Sequence, residues 1–254
     1  MLSDRLSRVR ATEIGSTVSI DETSEFGDAS TQRPPSTRDR GELLGRAQAL
    51  LAKGGRRLLG ITGPPGAGKS TLACWLEEAL TDLHGTEPLL VTQVPMDGFH
   101  LRNATLAQRG LRDSKGAPET FDVDAYIQLL KEVRDGTDHT LHAPSYSREL
   151  HEPVADAHAV PPSVRLVISE GNYLLLDQGR WSEVTALFDE IWFVVAARDV
   201  SHERLLRRQI AGGRTPDAAL EWVERNDMSN TDLVNATSGR ADLLVELPID
   251  PLLA

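Results

Sequence analysis

Leu58-Leu59-Gly60-Ile61-Thr62-Gly63-Pro64-Pro65-Gly66-Ala67-Gly68-Lys69-Ser70-Thr71 joins a short apolar run to the start of a helix through a glycine-rich turn. Positions 63 to 70 fit G-x-x-x-x-G-K-[ST] throughout, which is the Walker A pattern. Its glycines let successive backbone N–H groups point into one concavity, and the helix that follows adds partial positive charge, so the turn can cradle phosphates. Gly63, Gly66, Ala67, Gly68, Lys69, Ser70 and Thr71 are the candidate nucleotide-binding residues. The Lys69 ammonium suits the β and γ phosphates, and the Ser70 hydroxyl is a hard oxygen of the kind Mg²⁺ takes.

Working outward, apolar runs alternate with helical periods. Leu58 to Ile61, Leu89 to Val94, Arg165 to Ser169, Ile191 to Ala196 and Leu243 to Leu247 read as strands. Lys69 to His84, Val123 to Val133 and Arg180 to Phe188 read as helices, as does the segment from Gly41 that stops at Gly54-Gly55. This βαβ rhythm predicts an α/β fold with a mostly parallel sheet covered on both faces. Asp138 to Pro161, with four histidines and three prolines, breaks the rhythm and reads as an antiparallel ribbon over one end of the sheet. The histidine spacings are irregular and no cysteine supports them, which argues against a metal site there. Residues 1–40 are rich in Ser, Thr and charge with no sustained apolar period, and read as a flexible tail before a domain over 41–254.

The 254 residues carry 38 acidic and 27 basic side chains, a formal net charge of -11. That balance excludes a general nucleic-acid-binding surface. No apolar run approaches the roughly 20 residues a membrane crossing needs, so a soluble cytoplasmic protein is expected. One cysteine, Cys74, precludes an intrachain disulfide, and its apolar neighbours read as an inert buried thiol. The four tryptophans read as core residues.

Two acids fall at strand ends, where doubly wound folds place their ligands. Asp97 follows the second strand in Pro95-Met96-Asp97-Gly98-Phe99-His100, and a carboxylate there can take the proton of an attacking hydroxyl. Glu170 ends Leu166-Val167-Ile168-Ser169-Glu170 and can act on the Mg²⁺ shell. Arg204, Arg207 and Arg208 sit on a predicted helix before Gly212-Gly213. They read either as guanidinium groups closing over transferring phosphate or as a solvated basic face pairing with Glu203 or Glu221.

Taken together these motifs resemble the phosphoribulokinase, uridine kinase and pantothenate kinase superfamily over about Arg57 to Leu247. The resemblance implies a three-layer P-loop NTPase fold with a mostly parallel central sheet, an antiparallel substrate ribbon and a helical lid bearing arginines. Asp97-Gly98-Phe99 matches the Asp-x-Phe whose Asp is the base, Glu170-Gly171 matches the strand-end Glu-Gly, and Arg204, Arg207 and Arg208 match lid arginines. Pro144, Tyr146 and His151 keep the spacing of the uridine kinase ribbon. Lys115-Gly116-Ala117-Pro118-Glu119 is similar instead to a pantothenate kinase segment, and Gly116 stands where uridine kinases carry a ribose-binding acid.

The resemblance therefore implies ATP and Mg²⁺, with Lys69, Asp97 and Arg208 as catalytic residues and Arg204 on the nucleotide. Ser70 and Glu170 would serve the metal, and His100, Tyr146, Arg148, His151 and Glu170 a small hydroxyl-bearing acceptor. It also implies a homodimer, by analogy. Two other readings stay open at this point, a GTPase-type switch or metallochaperone and a catalytically idle nucleotide sensor.

Overall fold

The computed structural model describes residues 33–246. Six strands form one wholly parallel sheet: β1 (Ser36–Thr37), β2 (Arg57–Thr62), β3 (Val91–Gln93), β6 (Leu166–Glu170), β7 (Glu190–Val194) and β8 (Leu243–Val245). Their order across the sheet is β1-β8-β7-β2-β6-β3. Two further strands, β4 (Leu141–Ser147) and β5 (Glu152–Val160), pair antiparallel as the separate ribbon.

The sheet is covered on both faces because its strands are apolar at both parities. Leu58, Val167, Ile191 and Phe193 enter one core, while Leu59, Ile61, Ile168, Trp192 and Val194 enter the other. Helices α1 (Arg40–Ala52) and α2 (Lys69–His84) close the second face through Leu43, Leu50, Leu72 and Leu76. On the first face lie α4 (Val123–Asp135) and the connection from Leu174 to Leu187, with the short α3 (Asn103–Gln108) preceding α4. After β7 the chain forms α5 (Arg198–Ala211), α6 (Pro216–Trp222), a π-helical turn over Val223–Asp227, and α7 (Met228–Asn235).

Several expectations shift. Most of the segment expected as a tail lies outside the described residues, but Ser36–Thr37 joins the sheet edge beside β8. Leu247 also lies outside them. The expected helix over Arg180 to Phe188 is instead two 3₁₀ turns, Gly179–Glu183 and Thr185–Leu187. Trp181, Val184 and Leu187 are the residues it buries, and their spacing of three matches the three-residue 3₁₀ turn. Cys74 is exposed, not buried. Helix α2 directs Leu72, Ala73, Leu76 and Leu80 at the core, which rotates position 74 to solvent. Trp181 and Trp192 are core residues, whereas Trp75 and Trp222 are half-buried under Arg40 and Arg214.

Because every strand of the sheet runs the same way, the loops after β2, β3, β6 and β7 leave one edge. That edge gathers the phosphate loop, the Asp97 turn, Glu170 and the start of α5.

Candidate active site

The loop after β2 needs its glycines for space and for conformation. Gly63 has φ 145°, and a Cβ there would stand 2.5 Å from the Val194 carbonyl oxygen of the neighbouring strand. Gly68 has φ 99° and caps α2 without a side-chain hydrogen bond, leaving the first N–H groups of the helix to an outside acceptor. Lys69 is only 8% exposed and donates from Nζ to the Pro64 carbonyl at 3.0 Å. Burial depresses its pKa to about 8; Glu170 and Asp97 pull it up, while Arg208 and Arg148 push it further down. Ser70 Oγ donates to Glu170 Oε1 at 2.9 Å, joining loop to strand end. Glu170 is buried, and its pKa is raised by desolvation first and by the Asp97 charge second, against Lys69 and Ser70.

Asp97 sits in the 3₁₀ turn Met96–Phe99, whose Met96 and Phe99 are anchored in the core. It is half-buried, and its side chain takes no hydrogen bond among the described residues. Its charge acts on Lys69, Glu170, His100, Tyr146 and Arg208, so it stands within electrostatic reach of each of them. The ribbon presses on this turn: a Cβ on Gly98 would collide with the Pro144 backbone of β4. His100 Nδ1 lies 2.8 Å from the Asp97 carbonyl oxygen. A carbonyl only accepts, so Nδ1 carries the proton; burial lowers the pKa of the ring, which is neutral with Nε2 as an acceptor. The ring packs tilted against Phe121, with centres 4.0 Å apart, and against Tyr146, at 4.6 Å. Burial and the Asp97 charge push the Tyr146 hydroxyl up to about 12.

Arg148, just past the end of β4, is exposed, and its charge acts on the same groups. Arg208 of α5 is exposed by area, yet protein crowds its guanidinium enough that desolvation is the largest influence, lowering its pKa; Arg148 lowers it further, and Asp227 and Asp97 oppose. Arg204 donates from Nη1 to the Gly66 carbonyl at 3.1 Å and so braces the phosphate loop directly. Arg207 departs from the lid reading: it pairs with Glu203 at 2.5 Å on the exposed side of α5. His151 has φ 51° at the ribbon tip, and its carbonyl, rather than its ring, makes the hydrogen bonds. Its Cε1 lies against Gly212 at the end of α5.

Two residues of this region had not been singled out for the site. Lys115 Nζ donates to Asn103 Oδ1 and to the His151 carbonyl, both at 2.6 Å, and lies 5.4 Å from the Tyr146 ring centre. Its sequence signal was the Lys115–Glu119 segment. Asp227, buried and accepting from Gln209 Nε2 of α5, has no local signal.

The family model for phosphoribulokinase / uridine kinase matches residues 58–250. The chain belongs to that family. This kinase is 42% identical over 193 residues to YggC of Escherichia coli (strain K12), covering 76% of this chain and 78% of that one. It is 36% identical over 211 residues to a Schizosaccharomyces pombe protein named provisionally as a uridine kinase, covering 81% and 89%. A crystal structure from Silicibacter sp. TM1040, of a protein named provisionally as a fructose transport system kinase, matches with TM-score 0.71 and 35% identity over 80% of this chain and 98% of that chain. The chain is thus a small-molecule kinase with the P-loop fold, and the names of its relatives differ in acceptor.

Proposed function

We propose that this kinase transfers the γ-phosphate of ATP to a hydroxyl of a small metabolite, of the nucleoside, sugar or pantothenate-like class. The acceptor oxygen attacks the terminal phosphorus, the bond from that phosphorus to the β,γ-bridging oxygen breaks, ADP leaves, and the hydroxyl proton passes to an Asp97 carboxylate oxygen. Residues Gly63 to Thr71 hold the phosphates, with Lys69 on the terminal ones. Ser70 and Glu170, a hydroxyl and a carboxylate 2.9 Å apart, are hard oxygen donors fit for Mg²⁺. Bound there, Mg²⁺ would neutralise phosphate charge. Arg208 balances the equatorial oxygens, and Arg204 keeps the loop in shape. His100, Tyr146 and Arg148 line the acceptor side, and His151 shapes the ribbon tip.

The observation that supports this reading is that the loop bearing Lys69 and the turn bearing Asp97 leave the same edge of the parallel sheet, each charge within electrostatic reach of the other. The test is a transfer screen with MgATP over nucleosides, sugars, sugar phosphates and pantothenate-like alcohols, read by product mass. With the acceptor found, Asp97→Asn should keep nucleotide affinity within about twofold and lower kcat by at least about a hundredfold. Full activity in that variant removes the base from Asp97.

A further inference from the structure

Helix α7 and the turn before it lie against the segment Asp113 to Gly116. Asn226, in the π-helical turn, donates from Nδ2 to the Asp113 carbonyl at 2.6 Å. Asn230 comes one helical turn later and faces the same way. Beyond the chain neighbours of Gly116, the one atom of the described residues within 4 Å of where its Cβ would stand is Asn230 Nδ2, at 3.8 Å. Gly116 is fixed there from both sides. Its N–H donates to Thr120 Oγ1 at 3.0 Å, and its carbonyl accepts from Tyr173 Oη at 2.5 Å.

Asn230 is 7% exposed, yet its amide makes no hydrogen bond among the described residues. Thr231, the other buried polar side chain of α7, is satisfied by the Asp227 carbonyl at 2.8 Å, and Ser229 by that of Arg225 at 2.9 Å. A buried polar group without a protein partner weakens the fold, so such a group calls for a partner from elsewhere. Direct contacts lead from this spot to the reacting groups. The Tyr173 ring meets Phe121 edge-on at 5.7 Å, Phe121 packs on His100 at 4.0 Å, and His100 Nδ1 holds the Asp97 carbonyl. On the other side Lys115 lies over Tyr146, the second ring against His100.

We propose that Asn230 reads the acceptor: its amide bonds a hydroxyl other than the one phosphorylated, seated in front of Gly116, and the acceptor is an uncharged polyol of the sugar or nucleoside kind. The inference rests on the phosphotransferase reading above. An amide gives and takes a hydrogen bond at once, as a hydroxyl does. A carboxylate or phosphate fits less well, because burial and then the negative charges of Glu119, Asp97 and Asp227 hold the Tyr173 hydroxyl protonated beside the same spot. Gly116, at φ 102°, keeps the space clear, since any side chain there would point at the Asn230 amide.

The test uses the full chain and Asn230→Leu, close to asparagine in size and unable to hydrogen-bond. Thermal melting comes first, and the variant should melt at or above wild type, since it removes an amide that the fold leaves unpaired. Asn230→Met takes its place where the branched side chain clashes; both variants melting below wild type makes the amide a structural bond and overturns the proposal. The MgATP transfer screen then supplies the acceptor, which is compared with its singly deoxygenated counterparts. In wild type the loss of one particular hydroxyl should lower kcat/KM at least about tenfold. The variant should raise the KM of the intact acceptor by a like factor, leave the ATP KM unchanged, and show no further loss with that deoxy counterpart. An acceptor with a single hydroxyl, a preference for anionic acceptors, or losses that add overturns the proposal. No product from any member of the screen brings down the phosphotransferase reading itself.

Discussion

Lys69 carries the sharpest single-residue consequence. An ammonium buried under Pro64 with its pKa near 8 is destabilised in its charged form, and incoming phosphates reverse that by supplying the missing anion. The sign for folding follows from the proton count. Between about pH 8 and the unfolded value of 10.5 the unfolded chain binds more protons, so this lysine costs stability below pH 8 and the cost fades as pH rises through that window. For ligand binding the sign is opposite: MgATP binding at pH 8 should take up roughly half a proton per site, and affinity should fall as pH climbs further. Calorimetry in buffers of different ionisation heat reads the uptake directly; heats that do not depend on buffer would contradict it. Asp97→Asn removes a charge that raises the Lys69 pKa, so the midpoint of that uptake should move to lower pH.

At the scale of elements, the ribbon and the Asp97 turn act as one piece. Gly98 lets the Pro144 carbonyl sit where a side chain would otherwise stand, and Lys115 ties the far end of the ribbon to α3. Gly98→Ala should cost about 1–3 kcal/mol of stability by urea denaturation and raise the acceptor KM more than the ATP KM, because the ribbon must back away from Asp97. Unchanged stability would mean that the ribbon does not bear on the turn. The turn itself was legible as a strand-end Asp-Gly before Phe99. Its partner was not, since Gly98 and Pro144 are distant in the chain and only the fold brings them together. The 3₁₀ turns at Gly179–Leu187 show a limit of another kind: apolar spacing of three fits a 3₁₀ turn as well as the edge of an amphipathic helix, and packing of Trp181 among Phe121, Tyr126 and Tyr173 selects the tighter form.

At the scale of the molecule, a parallel sheet with one ligand edge makes nucleotide binding a global event, since the phosphate loop, β6, β7 and α5 all meet there. Saturation with MgATP at about a hundred times its Kd should add about 2.7 kcal/mol to unfolding free energy and raise the melting temperature by roughly 5–11 °C for a domain of this size. Thermal melting with and without nucleotide checks this, and the same shift in Lys69→Met would contradict the placement of the phosphates. No helix among the described residues is long and apolar enough to cross a membrane.

The amino-acid sequence by itself determined the phosphate loop, the α/β rhythm and the separate ribbon, because each depends on residues close together in the chain: glycines that permit a backbone shape, and apolar periods of two or near four. Tertiary structure decided the rest. Ser70 meets Glu170 across 100 residues of chain, Arg204 reaches Gly66 across 138, and Gln209 of α5 meets the buried Asp227. Protonation at Lys69, His100 and Glu170 belongs to that same level. A side chain's charge responds to burial and to neighbouring charges, and no local pattern records which distant residues folding will bring beside it.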